Sequence, residues 1–331
     1  MNSTDVNQIF EKFSTMRAIV IGDVMIDTYL WGKVERLSPE APVPIVAVTK
    51  RENRMGGAAN VSLNLQALGA EPILFSVVGD DEKGKIFLEL LDKRKIQKNG
   101  IYVDSTRNTT VKNRIISNGK HIARVDEESV EYISGKIERG LIDAISNEIT
   151  TNPVDVIIFV DYDKGVITPT LFETINTLAK EKGIFTAVDP KKRNFKTYKN
   201  VSLFKPNFKE FVEGAGLPLL KDDLEGIKKA AARFRKKHNL AFIFVTLSEL
   251  GVFISNGISD QYYPAVIRDI SDVSGAGDTV ISVASLALAA GLSPKIMALM
   301  SNLAGGLVCE KPGVVPVDRK QLKKEMKSQK F

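Results

Sequence analysis

A chain of 331 residues with 44% hydrophobic and 26% charged residues reads as an ordinary globular protein with the means to bury one large core or two smaller ones. Its formal charge of +6 comes from scattered lysines, and the densest basic stretch, residues 320–330, reads as a solvated helix face or tail. That balance argues against nucleic acid and suits an anionic small-molecule substrate, because a cleft of one sign concentrates the opposite charge.

One cysteine, Cys309, excludes an intramolecular disulfide framework and a cysteine zinc cluster, and two histidines, His121 and His238, leave little for imidazole metal sites. No apolar run reaches the roughly 18 residues of a spanning helix. The polar start Met1-Asn2-Ser3-Thr4-Asp5 lacks the regions of a signal peptide, so no membrane partner and a cytoplasmic location are expected.

Along the chain, a buried strand is predicted at 17–22, an extended segment at 43–49 behind a proline-rich stretch, and a helix at 58–68 closed by Gly69. A strand at 73–78 and a helix at 83–94 follow. Extended runs at 111–117 and 121–125 flank Asn118-Gly119-Lys120, a strong hairpin signal. Strands at 156–160, 184–188, 201–205 and 242–246 then alternate with helices at 169–180 and 224–237, and helices at 276–290 and 294–308 close the pattern. The alternation predicts an α/β fold, a doubly wound, mostly parallel sheet flanked by helices with ligands at the carboxyl ends of its strands. The extended segments without crossover helices predict a small β-rich lid, at about 34–50 and 108–125, inserted into a single domain spanning 1–331.

The most informative stretch is Asp272-Val273-Ser274-Gly275-Ala276-Gly277-Asp278, which runs straight into an apolar helix. Its small residues leave the amides of Gly275, Ala276 and Gly277 free to converge on an anion at the positive end of the helix dipole. Asp278, in the first turn and accepting amide hydrogen bonds, is expected to stay ionised at neutral pH and to take a hydroxyl proton. A tight turn followed by a dipole-complementing acid is the plainer alternative. A second glycine pair opens Gly56-Gly57-Ala58-Ala59-Asn60-Val61-Ser62, where a sugar could lie against bare backbone and Asn60 could meet its hydroxyls. Gly79 to Gly84-Lys85 has Walker A spacing, but Ile86 replaces the required hydroxyl and the loop is acidic, so it is set aside.

Together the two glycine segments resemble the two signatures of the ribokinase or PfkB family of carbohydrate kinases, and further similarity runs from about Arg17 to Gly313. The resemblance implies ATP and Mg²⁺ as cofactors and Asp278 as base. It implies sugar-binding acids at Asp23 and Asp27, on Gly22-Asp23-Val24-Met25-Ile26-Asp27 at the end of the first strand. It places Asn207 and Glu210 on phosphate and water-bound Mg²⁺, although on residue chemistry alone Pro206 is a helix-starting signal and Glu210 a first-turn acid. Thr246, Ser248 and Gly251 resemble a nucleotide loop, and Asn302 to Gly313 the stretch that closes over adenine. Asp272 and Ser274 would complete a monovalent cation site for K⁺.

Within the family, Arg36-Leu37-Ser38-Pro39-Glu40-Ala41-Pro42-Val43-Pro44, Asp161-Tyr162-Asp163-Lys164-Gly165 and Asp189-Pro190-Lys191 are similar to the subgroup acting on D-glycero-D-manno-heptose 7-phosphate. That similarity implies phosphorylation at the anomeric hydroxyl in ADP-heptose and lipopolysaccharide core synthesis. An acceptor already carrying phosphate needs cations, and Lys112, Arg114, Arg124, Lys164 and Lys191 are the candidates. With the sequence ending at Phe331, a kinase portion alone is expected, a separate protein performing nucleotidyl transfer. The open lid edges predict a homodimer through the lid. Another sugar, sugar phosphate or nucleoside as acceptor stays open, as does a catalytically silent nucleotide-binding regulator.

Overall fold

The computed structural model describes residues 3–118 and 120–328. In chain order the elements are α1 (Ser3–Phe13), β1 (Arg17–Gly22), β2 (Val24–Leu37), β3 (Pro44–Gly57), α2 (Ala58–Leu68), β4 (Glu71–Gly79), α3 (Glu82–Arg94), β5 (Ile101–Asp104), β6 (Val111–Ser117), β7 (Lys120–Glu127), α4 (Gly135–Thr151) and β8 (Val156–Val160). The second half contains α5 (Pro169–Glu181), β9 (Phe185–Asp189), β10 (Leu203–Phe204), α6 (Phe208–Ala215), α7 (Leu224–His238), β11 (Phe242–Thr246), β12 (Val252–Ser255), β13 (Asp260–Tyr263), α8 (Ala276–Ala289), α9 (Pro294–Cys309) and α10 (Arg319–Ser328).

The main sheet has nine strands in the order β13-β12-β11-β10-β9-β8-β1-β4-β5. Pairing is parallel from β5 through β11 and antiparallel for β12 and β13. The central strands are buried on both faces and carry apolar residues throughout, as β8 does with Val156-Ile157-Ile158-Phe159-Val160. Alternation divides them between two cores. Val20, Ile158 and Val160 join α2, α8 and α9 on one face, while Ile19, Ile21, Ile157 and Phe159 join α4, α5 and α7 on the other.

A separate four-stranded sheet runs β3-β2-β6-β7. It begins earlier than the sequence predicts. Strand β2 is buried over its first residues and becomes exposed as it leaves the main body, so the extended segment starts at Val24 and not near residue 34. Asp23 therefore lies between strands and Asp27 within β2, correcting their expected place at the end of β1. The predicted hairpin pairs Ser117 with Lys120, and its Gly119 lies outside the described residues, as do 329 and 330 of the basic run. Strand β10 is shorter than predicted, starting two residues later, at Leu203, and ending at Phe204, ahead of Pro206. The Walker-like loop is a helix start in which Asp81 caps α3, accepting from the Gly84 amide, and also ties down the Thr109 amide. No helix among the described residues is long and apolar enough to cross a membrane.

Candidate active site

Helix α8 starts at the carboxyl ends of the central strands. Its N-cap, Gly275, has φ 81° and contributes no side-chain hydrogen bond to the first turn. Helices α4, α5, α6 and α9 are by contrast capped by Ser134, Thr168, Asn207 and Ser293. A side chain at Gly275 would be strained at this φ, and its Cβ would lie 2.7 Å from Asn60 Nδ2. Gly277 lies over the Lys205–Asp189 pair, a Cβ there meeting Lys205 Nζ at 3.7 Å and Asp189 Oδ2 at 3.9 Å without a clash. The turn thus presents bare backbone beside a cation.

Asp278, one residue further on, is buried. Its Oδ2 accepts from Asn60 Nδ2 at 2.8 Å and its Oδ1 from the Tyr162 hydroxyl at 2.8 Å. The expected amide partners are replaced by these two side chains, which corrects the predicted ionisation. Burial pushes the carboxyl up to about 7, the Asp189 charge adds to that, and the hydrogen bonds with the Lys205 charge oppose it. A group poised there can hold or release a proton near neutral pH. Asn60 is itself fixed by Asn64, whose Oδ1 accepts from Thr279 Oγ1 at 3.0 Å, so a buried polar chain locks α2 to α8.

Beneath Gly277 lies a buried ion pair, Lys205 Nζ to Asp189 Oδ1 at 3.0 Å. Sequence reasoning missed Lys205, Asp189 and Tyr162 as site residues. The signals were their positions at or just past the ends of β10, β9 and β8, where the fold gathers ligand-binding groups, and, for Tyr162 and Asp189, the subgroup-like segments that contain them.

The acid pair divides. Asp23 accepts from the amides of Tyr162, Lys164 and Val166 at 2.8, 3.1 and 3.0 Å, so its carboxylate organises the loop carrying Tyr162 and is not presented to a sugar as expected. Asp27 is buried and ion-paired to Arg114. Burial raises its pKa while the Arg114 charge pulls it down. The glycine pair serves this corner: a Cβ on Gly56 would come within 2.1 Å of Asp27 Oδ2, and one on Gly57, at φ 59°, within 2.3 Å of the Asp23 carbonyl.

Strand register sets Lys112 beside Asp27, Arg114 beside Tyr29, and Asp126 and Arg124 beside Lys112 and Arg114. These side chains therefore share one face of the small sheet. They are not the free cations expected. Arg114 is engaged by Asp27, Lys112 by Asp126 at 3.2 Å, Arg124 by Asp126 at 3.0 Å, Lys164 by Glu128 at 2.8 Å, and Lys191 by Glu210.

Asn207 and Glu210 form a reciprocal capping box on α6, with Glu210 in the first turn as residue chemistry alone predicts. A cavity of about 220 Å³ opens there, lined by Lys191, Lys192, Asn207, Lys209 and Glu210 among others. Thr246 bridges to Asn207, and Ser248 and Gly251 form the turn after β11. Asn302 donates to the Pro264 carbonyl at 2.8 Å, and a Cβ on Gly251 would sit 2.6 Å from the Ala265 amide, so this set clusters at one edge of the main sheet. Asp272 accepts from the amides of Ser274 at 2.9 Å and Gly313 at 3.0 Å, clamping the turn before α8 to the segment after α9. Burial raises its pKa, but these amides outweigh it and hold the group low.

Residues 16–320 match the pfkB family carbohydrate kinases, and the chain belongs to that family. It is accordingly a sugar kinase, a phosphotransferase acting on an alcohol group, of a family whose membership implies ATP and Mg²⁺. Over 320 residues it is 38% identical to the bifunctional protein HldE of Pelobacter propionicus, covering 96% of this chain and 64% of that protein. Over 298 residues it is 40% identical to HldE of Helicobacter pylori, covering 90% and 63%. The chain thus spans about two thirds or less of the length of these curated relatives.

Among solved structures it resembles phosphofructokinase-2 from Escherichia coli in complex with potassium, with TM-score 0.78 and 16% identity over 95% of this chain and 99% of that one. Ribokinase from Arabidopsis thaliana complexed with ribose and ATP gives 0.72 and 16%, over 93% and 98%. These likenesses establish the ribokinase-like fold.

Proposed function

We propose that the chain transfers the γ-phosphoryl group of ATP to the anomeric hydroxyl of D-glycero-D-manno-heptose 7-phosphate, giving the 1,7-bisphosphate and ADP, as a step toward ADP-heptose. The observation that carries the chemistry is Asp278, buried, held by Asn60 and Tyr162, and one residue past a bare-backbone turn. The acceptor is supported by relatedness to HldE and by the resemblance of residues 36–44 and 161–165 to the heptose 7-phosphate subgroup.

In this reading Asp278 takes the proton from the attacking hydroxyl, and the Gly275, Ala276 and Gly277 amides receive the charge that spreads over the transferred group. Lys205 adds a cation beside them. The triphosphate lies toward the cavity edged by Lys191, Lys192 and Lys209. Glu210, whose oxygens meet Lys191 and the Asn207 amide, would hold Mg²⁺ through water. When bound, Mg²⁺ would supply neutralisation of the phosphate charge. Thr246, Ser248, Gly251 and Asn302 border the nucleoside end, whereas Gly313, expected there too, packs against Tyr29 and Arg54 of the small sheet. A K⁺ site near Asp272 and Ser274 would use carbonyls, since the Asp272 oxygens already serve amides.

The small sheet acts as a lid, excluding water from the acceptor. Its exposed Val48, Ile122 and Val125 and its open edges support a homodimer through the lid. Use of ATP supports a cytoplasmic location. The test is ADP release with Mg²⁺ and ATP across heptose 7-phosphate, fructose phosphates, ribose and adenosine. Turnover confined to heptose 7-phosphate is expected, and turnover on another member alone would reassign the acceptor.

A further inference from the structure

Glu128, just after β7, stands between two lysines. Its Oε1 lies 2.8 Å from Lys164 Nζ and its Oε2 3.7 Å from Lys112 Nζ, which Asp126 Oδ2 also meets at 3.2 Å. Both lysine side chains are largely covered, at 15% and 12% exposure. Both also belong to the acceptor side of the site. Lys112 is beside Asp27 in the β2–β6 register, and Lys164 lies two residues past Tyr162, with its own amide on Asp23. Ion pairs of this kind add little to stability, so fold maintenance alone explains the cluster poorly. Two ammonium groups converging on the oxygens of one anion are also what a phosphate monoester requires.

We infer that Lys112 and Lys164 form the seat of the acceptor's phosphate, and that Glu128 fills this seat until substrate displaces it. The inference rests on the reading above that the acceptor carries a phosphate. It adds a selection rule. A doubly charged phosphate can outcompete a singly charged, tethered carboxylate, whereas a neutral sugar brings nothing to take its place. Phosphosugar affinity is accordingly held below its intrinsic value by the fraction of molecules in which Glu128 is seated.

The test uses inorganic phosphate as probe, titrated calorimetrically at low salt into wild type, Glu128→Gln and Glu128→Gln/Lys164→Ala, with the nucleotide site saturated by Mg²⁺ and a non-hydrolysable ATP analogue. Glu128→Gln is expected to bind phosphate about tenfold more tightly than wild type, two partly covered ion pairs being at stake. Adding Lys164→Ala should abolish that gain. Equal or weaker binding by Glu128→Gln, or a gain that survives loss of Lys164, overturns the inference. In turnover with heptose 7-phosphate the same change should appear as a lower KM. Should wild type fail to use heptose 7-phosphate, the acceptor assignment falls, while the phosphate titration still decides whether Glu128 guards an anion seat.

Discussion

Replacing Asp278 by Asn should abolish turnover and make the protein more stable at alkaline pH. The amide keeps the shape of the side chain and can still accept from Asn60 and pair with the Tyr162 hydroxyl, so the two contacts at 2.8 Å survive. It removes the buried charge. The carboxyl titrates near 3.8 in the unfolded chain and is pushed up to about 7 when folded. A displacement of roughly three pH units corresponds to about 4 kcal/mol, taken as an order of magnitude for so buried a group. The sign follows from proton binding. Between these two values the folded wild type holds a proton that the unfolded chain has lost, so its stability falls as pH rises from about 4 to about 7 and is level above. The variant lacks this loss. Urea unfolding of both proteins from pH 4 to 9 should show a gap that opens across that window and stays constant beyond it. A gap that is flat with pH, or a variant less stable than wild type at pH 8, would refute the claim that Asp278 is a strained, function-serving charge.

Three further outcomes are expected. The kcat/KM of the wild type should fall about tenfold per pH unit below about 7, and Tyr162→Phe, which deletes a donor to the carboxylate, should move that limb upward by about one unit in a pH–rate series. Gly275→Ala should cost about 1–3 kcal/mol in denaturant unfolding and lower turnover, because φ 81° is strained for alanine and its Cβ would press on Asn60 Nδ2 from 2.7 Å. Arg114→Ala should destabilise by about 3–5 kcal/mol in the same assay, since it strands the buried Asp27 charge.

The elements of the main sheet were legible where local pattern and tertiary role agree. The strands predicted at 17–22, 156–160 and 242–246 and the helix at 58–68 coincide with β1, β8, β11 and α2. The inner part of strand β2 was not legible, because Gly22-Asp23-Val24-Met25-Ile26-Asp27 reads as the end of the first strand and not as the start of a second one. Helix α4 was missed because only Leu141, Ile145 and Ile149 of its length are buried, leaving a thin apolar stripe.

In the site, Gly275, Asp278 and Asn60 stand in compact motifs that a reading by neighbours can find. Tyr162, Asp189 and Lys205 become partners of that corner only through the strand order β1-β8-β9-β10, which no local pattern encodes. The engagement of every proposed phosphate-binding cation by a carboxylate was equally invisible. Asp126 and Glu128 meet Lys112 through antiparallel register and a loop, and residue spacing does not specify either.

The central claim is phosphorylation at the anomeric oxygen of a phosphosugar, and phosphorus NMR of a reaction containing the protein, ATP, Mg²⁺ and heptose 7-phosphate tests it most directly. A second sugar phosphorus signal, coupled to the anomeric proton and growing in step with ADP, is the predicted result. Phosphate appearing on another carbon, or ADP formed with free phosphate alone, would contradict it.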